Sequence, residues 1–78
     1  MMNEIFYKVS FVVSGSSAHP GAIMTVEKRP EIGEEVKFNG SVFEVTEVME
    51  LMPPVGNFGF LHVTCEYRRE SGPDDEEQ

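Results

Sequence analysis

The sequence has a single cysteine, Cys65, and so no internal disulfide. A lone thiol belongs by default to a reducing compartment, and the expected location is cytoplasmic. Basic residues are also scarce. Six lysines and arginines stand against fourteen aspartates and glutamates, a formal charge of −8. Binding to nucleic acid rests on cations that neutralise phosphates. The only basic clusters are the dipeptides Lys28-Arg29 and Arg68-Arg69. Each falls at a predicted strand end, where solvated charge is the ordinary outcome, so nucleic acid is an unfavoured partner. Long apolar runs are missing, and none approaches the roughly 20 residues of a membrane-spanning helix. Near the N-terminus Glu4 stands where a secretory signal has basic residues, and Lys8 and Ser10 interrupt the apolar pattern. No membrane partner is expected.

Metal ligands are few. His19, His62 and Cys65 are the only good nitrogen or sulfur donors. His62 and Cys65 are three residues apart, which on a strand sets them on opposite faces. A structural zinc site needs four ligands in close pairs, so no metal or cofactor is expected. Catalytic groupings are equally thin. Cys65 falls on an apolar face, where burial raises a thiol's pKa and blunts its reactivity. Ser14, Ser16 and Ser17 lie near His19, but a triad needs rigid geometry and a third orienting group. Glu34 and Glu35 are adjacent, and Glu44 should face Glu35 across a hairpin, with Lys37 near enough to soften the repulsion. A solvated rim explains these carboxylates without acid–base chemistry, and the chain is expected not to be an enzyme.

What is present is a strand pattern. Seventy-eight residues make one domain. Residues 70–78 contain five of the fourteen acids and no apolar side chain. Such a segment cannot bury enough surface to offset its own ordering, so a disordered acidic tail is expected there. Residues 1–69 form the expected domain, with nine acids against the six bases. The centre of that domain is Asn39-Gly40, set between Glu35-Val-Lys-Phe38 and Ser41-Val-Phe-Glu-Val45. Asn and Gly tolerate the two positive φ angles of a type I′ turn, the commonest two-residue hairpin connection. The turn would place Phe38 opposite Ser41, Lys37 opposite Val42 and Val36 opposite Phe43. Val36, Phe38, Phe43 and Val45 would then share one face.

Four further signals complete the expected sheet. Residues 4–13 alternate, with Ile5, Tyr7, Val9, Phe11 and Val13 on the apolar side. Residues 22–28 form a second strand that alternation cannot orient, because both sides carry apolar residues. Residues 41–51 keep period two through Val45, and then the pattern slips by one. A β-bulge near Thr46-Glu47 would restore it and bend the strand. A helix over residues 43–51 is the alternative, disfavoured by Val, Thr and Phe. Residues 58–68 place Leu61, Val63, Cys65 and Tyr67 on a core face. Residues 14–21 and 52–59 read as loops, with Pro20-Gly21 suited to a type II turn and Pro53-Pro54 to polyproline extension. The chain has no internal repeat and no family-specific motif. The expected fold is all-β: a small five-stranded curled sheet or SH3-like barrel.

One feature exceeds what a small core can absorb. Met49, Leu51, Met52, Pro53, Pro54, Val55, Phe58 and Phe60 fall within twelve residues. Some of them must plug a barrel end or form an interface, since exposed contiguous apolar groups tend to mark interaction sites. The expected function is protein interaction or self-association, with Met49, Met52, Pro53, Pro54, Phe58 and Phe60 as the binding residues. The alternative is single-stranded nucleic-acid binding, with Phe6, Phe58 and Phe60 stacking on bases and Lys8 and Arg68 on phosphate. A small enzyme or small-ligand carrier is a third reading, for which the sequence shows no recognisable site.

Overall fold

The computed structural model of the chain describes residues 5–15 and 19–72, without the side chains of residues 53 and 54. Five strands follow one another: β1 (Phe6–Val13), β2 (Ala22–Val26), β3 (Glu35–Phe38), β4 (Ser41–Val55) and β5 (Phe58–Glu70). Among the described residues there is no helix. The strands form one mixed sheet in the order β2-β1-β5-β4-β3, with β1 and β5 parallel and the other neighbours antiparallel. The sheet curls into a half-barrel. It does not close, because β2 and β3 remain its two edges.

Local chemistry explains the β3–β4 reversal. Asn39 has φ 54° and Gly40 φ 79°, both left-handed, the combination a type I′ turn requires. Phe38 lies opposite Ser41 and Val36 opposite Phe43. Further along β4, Val45 pairs with Cys65 and Glu47 with Thr64, which leaves Thr46 unpaired as a bulge. Its hydroxyl donates to the Thr64 carbonyl at 3.2 Å. The extra residue brings Val48 opposite Val63, half-buried against the core.

The core occupies the concave side. Val9, Phe11 and Val13 of β1 meet Leu61, Val63 and Cys65 of β5, Phe43 and Val45 of β4, and Phe38 of β3. Fully burying one such side chain contributes about 1.5–3 kcal/mol. With no disulfide, this core and the backbone ladder hold the fold. Ala22, Met24 and Val26 pack against it, which orients β2 and leaves Ile23 and Thr25 on the convex side. Ile5 and Tyr67, expected in the core, sit at its margin at 38% and 36% exposure.

Three expectations need correction. Residues 52–59 are not a long loop. β4 runs on to Val55 and β5 starts at Phe58, joined by Gly56-Asn57. Two prolines are tolerated there because β3 ends opposite Glu44, so this part of β4 has a partner on one side only. Second, β5 continues through Glu70, which pairs with Ser41, and the Ser71 amide donates to the Gly40 carbonyl at 2.9 Å. Residues 73–78 of the expected tail lie outside the described residues, as does Glu4 of the expected first strand. Third, Gly21 does not take the left-handed conformation expected for a type II turn. It is needed for a close approach: a methyl group built on it would overlap the backbone carbonyl of Phe11.

That overlap predicts the outcome of Gly21→Ala. The backbone of β1 cannot yield as a flexible side chain would, so the variant should lose about 1–3 kcal/mol of stability. Urea unfolding followed by far-ultraviolet dichroism measures this. An unchanged midpoint refutes the close approach.

Candidate functional site

Residues paired across a sheet share a face. The side of β1 opposite the core carries Phe6, Lys8, Ser10 and Val12. Register sets these beside Phe58, Phe60, His62 and Thr64 of β5. On the far side of β5, Val55 pairs with Phe58, Met52 with Phe60 and Met49 with His62. Ile23 of β2 lies beside Ser10 and Thr25 beside Lys8. The convex face therefore carries cross-strand rows. Near the Gly56 turn one row is Phe6, Phe58 and Val55, and the next is Lys8, Phe60 and Met52. A third is Ile23, Ser10, His62 and Met49.

Much of this face is open. Ile23 is 71% exposed, Val55 69%, Met49 48% and Met52 44%. Phe58 and Phe60 are half-buried and meet edge to face at a centroid distance of 5.3 Å. Of the six expected binding residues, the register thus brings Met49, Met52, Phe58 and Phe60 to one face of one hairpin arm. Pro53 and Pro54 lie in β4 between Met52 and Val55, and their side chains are outside the described residues. Register also adds Phe6 and Val55 to the patch, because long-range pairing decides which strands flank the arm, while Ser10 and His62 separate Ile23 from Met49. Leu51, 60% exposed, falls at a break in register between Glu50 and Met52.

The other end of the same face is charged. Glu35 lies opposite Glu44, and Glu44 opposite Glu66. Arginines, not Lys37, balance these acids. Arg68 donates to Glu44 through Nε at 2.8 Å and through its terminal nitrogen, and it lies 3.6 Å from Glu66. Arg69 spans both carboxylate oxygens of Glu35 at 3.2 and 3.3 Å. A register shift puts Val42 opposite Arg69 and Phe43 opposite Tyr67, so Arg68 is the extra residue. The hydrogen bond that Arg68 donates to Glu44, and then that carboxylate's charge, push the Arg68 pKa further up. Arg68 is thereby engaged by carboxylates, away from the phosphate role considered for it.

His19 covers the end of the core next to the 14–21 connection. Its ring stacks on Tyr67 at 4.2 Å and meets Phe43 edge-on at 5.8 Å. Met52 and Phe58 lie at the opposite end of β5. Ser16 and Ser17 fall outside the described residues. Cys65 is fully buried and its thiol donates to the Val12 carbonyl at 3.6 Å. Burial pushes that thiol's pKa up. His62 stands on the convex face, on the other side of the sheet from Cys65, as the three-residue spacing implies. Among the described residues no group of three His, Cys, Asp or Glu side chains is placed to hold a metal ion. Among them, too, no helix is long and apolar enough to cross a membrane.

The environment of Cys65 predicts slow labelling by a water-soluble disulfide reagent in native buffer and fast labelling in denaturant, since only opening of the core exposes the thiolate. Equal rates in both would refute its burial. No known protein family, no curated protein and no solved structure matches this chain.

Proposed function

We propose that this protein is a small, non-enzymatic interaction module whose convex sheet face holds the apolar surface of another polypeptide. A second copy of the chain takes that place when no other partner is present. The observation that carries this reading is the patch itself. Met49, Met52 and Val55 stand open on the same face as Phe58 and Phe60, with Phe6 beside Phe58. Apolar groups gathered in this way tend to mark interaction surfaces. Methionine adapts its shape to a partner, and two aromatic rings supply contact area at its centre. The ion ladder of Glu35, Glu44, Glu66, Arg68 and Arg69 bounds the patch at one end. An apolar centre with a polar rim is the usual anatomy of a docking surface. A chain of this size without disulfides also gains stability from association.

A second reading rests on one detail of register. Phe6 lies beside Phe58, and Lys8 beside Phe60. Aromatic rings flanked by a lysine are the elements on which single-stranded nucleic acid stacks. The net charge of −8 opposes it, and Arg68 is committed to carboxylates.

The double substitution Met52→Ser and Phe58→Ser separates these readings. Light scattering of the wild-type chain should show a mass that rises above the monomer with concentration. The variant should stay monomeric with an unchanged far-ultraviolet spectrum. A wild-type chain that is monomeric at every concentration and binds a labelled oligonucleotide at low salt favours the second reading over the first.

A further inference from the structure

The two edges of the sheet face each other across a gap. Following the pairings, β1 and β5 run one way and β2 and β4 the other, so β3 runs with β1. The edges β2 and β3 are thus antiparallel, yet they do not pair. At one end the gap is drawn together. The Asn39 amide donates to the carbonyls of Pro20 and Gly21 at 3.3 and 3.5 Å. At the other end it widens into a groove of about 550 Å³.

The groove's lining has an informative sequence pattern. Met24, Thr25 and Val26 of β2 line it in succession, and Glu27, Lys28, Pro30 and Glu34 of the connection to β3 wall its end. Side chains alone would contribute every second residue of a strand. Successive residues line a groove when the main-chain edge itself faces it. Phe11 and Val36 supply apolar floor beside Met24 and Val26. An occupant must therefore offer two things at once: small apolar side chains, and amide and carbonyl groups for an unpaired strand edge. A purely apolar molecule would leave that edge without partners, which is costly once water is displaced.

The two edges also differ. β3 carries Glu35 and Lys37 and is preceded by Glu34, charges of the kind that discourage strand addition. β2 reads Ala-Ile-Met-Thr-Val, with no charge and no proline, and its register with β1 is unbroken. It is an unguarded edge bordering a groove. The charges at the groove, Glu27 and Glu34 against Lys28 and Lys37, balance in sign, so an uncharged occupant suits it.

We propose that the β2 edge accepts an extended, uncharged peptide segment of another protein, four to five residues long. The segment lies antiparallel to β2 and turns alternate apolar side chains toward Met24, Val26 and Val36. Its length follows from the stretch of chain that lines the groove beyond the end pinned by Asn39, Met24 to Lys28. Addition of a strand to a free edge is a known mode of peptide recognition, with main-chain bonds supplying affinity and pockets supplying specificity. This site is separate from the convex patch, since the groove opens on the concave side beside Phe11.

The test is a titration of the full chain, followed by amide NMR shifts. The probe is the capped peptide Thr-Val-Thr-Val-Thr, with a second version N-methylated at alternate amides as its control. The unmodified probe should shift Met24, Thr25, Val26 and Val36, and the N-methylated one should bind about tenfold or more weakly, as loss of one or two hydrogen bonds implies. Equal binding of both probes would show a simple apolar pocket and overturn strand addition. Shifts confined to Met52, Phe58 and Phe60 would place the peptide on the convex patch and overturn this site without touching the interaction module. Shifts at β2 that appear on concentrating the protein alone would assign the edge to a second copy and overturn the peptide. No shift with either probe also overturns it.

Discussion

Everything in this structure depends on where β5 lies. It runs parallel to β1 on one side and antiparallel to β4 on the other, and so joins two local hairpin-like halves into one sheet. Its inward residues Leu61, Val63 and Cys65 are 1% exposed or less. Each touches the concave core from the middle of the sheet, with Val9, Phe11 and Val13 beside them on β1. With β5 in the middle, the strands left over at the margins are β2 and β3. Both the convex patch and the seam on the concave side are consequences of that arrangement.

The polarity of the convex face follows from the same pairing. Along β5, phenylalanines come first and the acid and arginine residues last. Bulges in β4 keep its residues in step with that gradient. Thr46 is skipped so that Val48 returns to the core side and Met49 reaches His62. Further register shifts bring Met52 and Val55 beside Phe60 and Phe58. Bulges increase local twist, which bends a strand without ending it. An apolar arm and a charged base thus coexist on one continuous strand pair.

The aromatic cluster shows how a connection can complete a core. Phe11, Phe38 and Phe43 lie in a row, with Phe38 and Phe43 stacked at 4.2 Å. Tyr67 and His19 extend that row to the end of the half-barrel. An imidazole stacked on a phenol gives an amphipathic cover, apolar against the ring and polar toward water. His19 precedes Pro20, which holds it extended. Nothing in the alternation of the strands marks a loop histidine for this position. The proline and the aromatic residues elsewhere were visible, but the meeting of them was not.

The local features were written in the chain. Asn39-Gly40 with its two positive φ angles, the alternation of Val9, Phe11 and Val13, and the slip at Thr46 all depend on neighbours within a few residues. Their physics acts through backbone sterics and one-sided burial, so reading along the sequence is enough. The orientation of β2, the balancing of Glu35 and Glu44 by Arg69 and Arg68, and the placing of Phe6 beside the Met52 and Phe58 arm were decided only by tertiary structure. Each joins residues more than ten positions apart. Alternation states that a strand has two faces, but only packing against a distant strand determines which face meets the core and what stands beside the other.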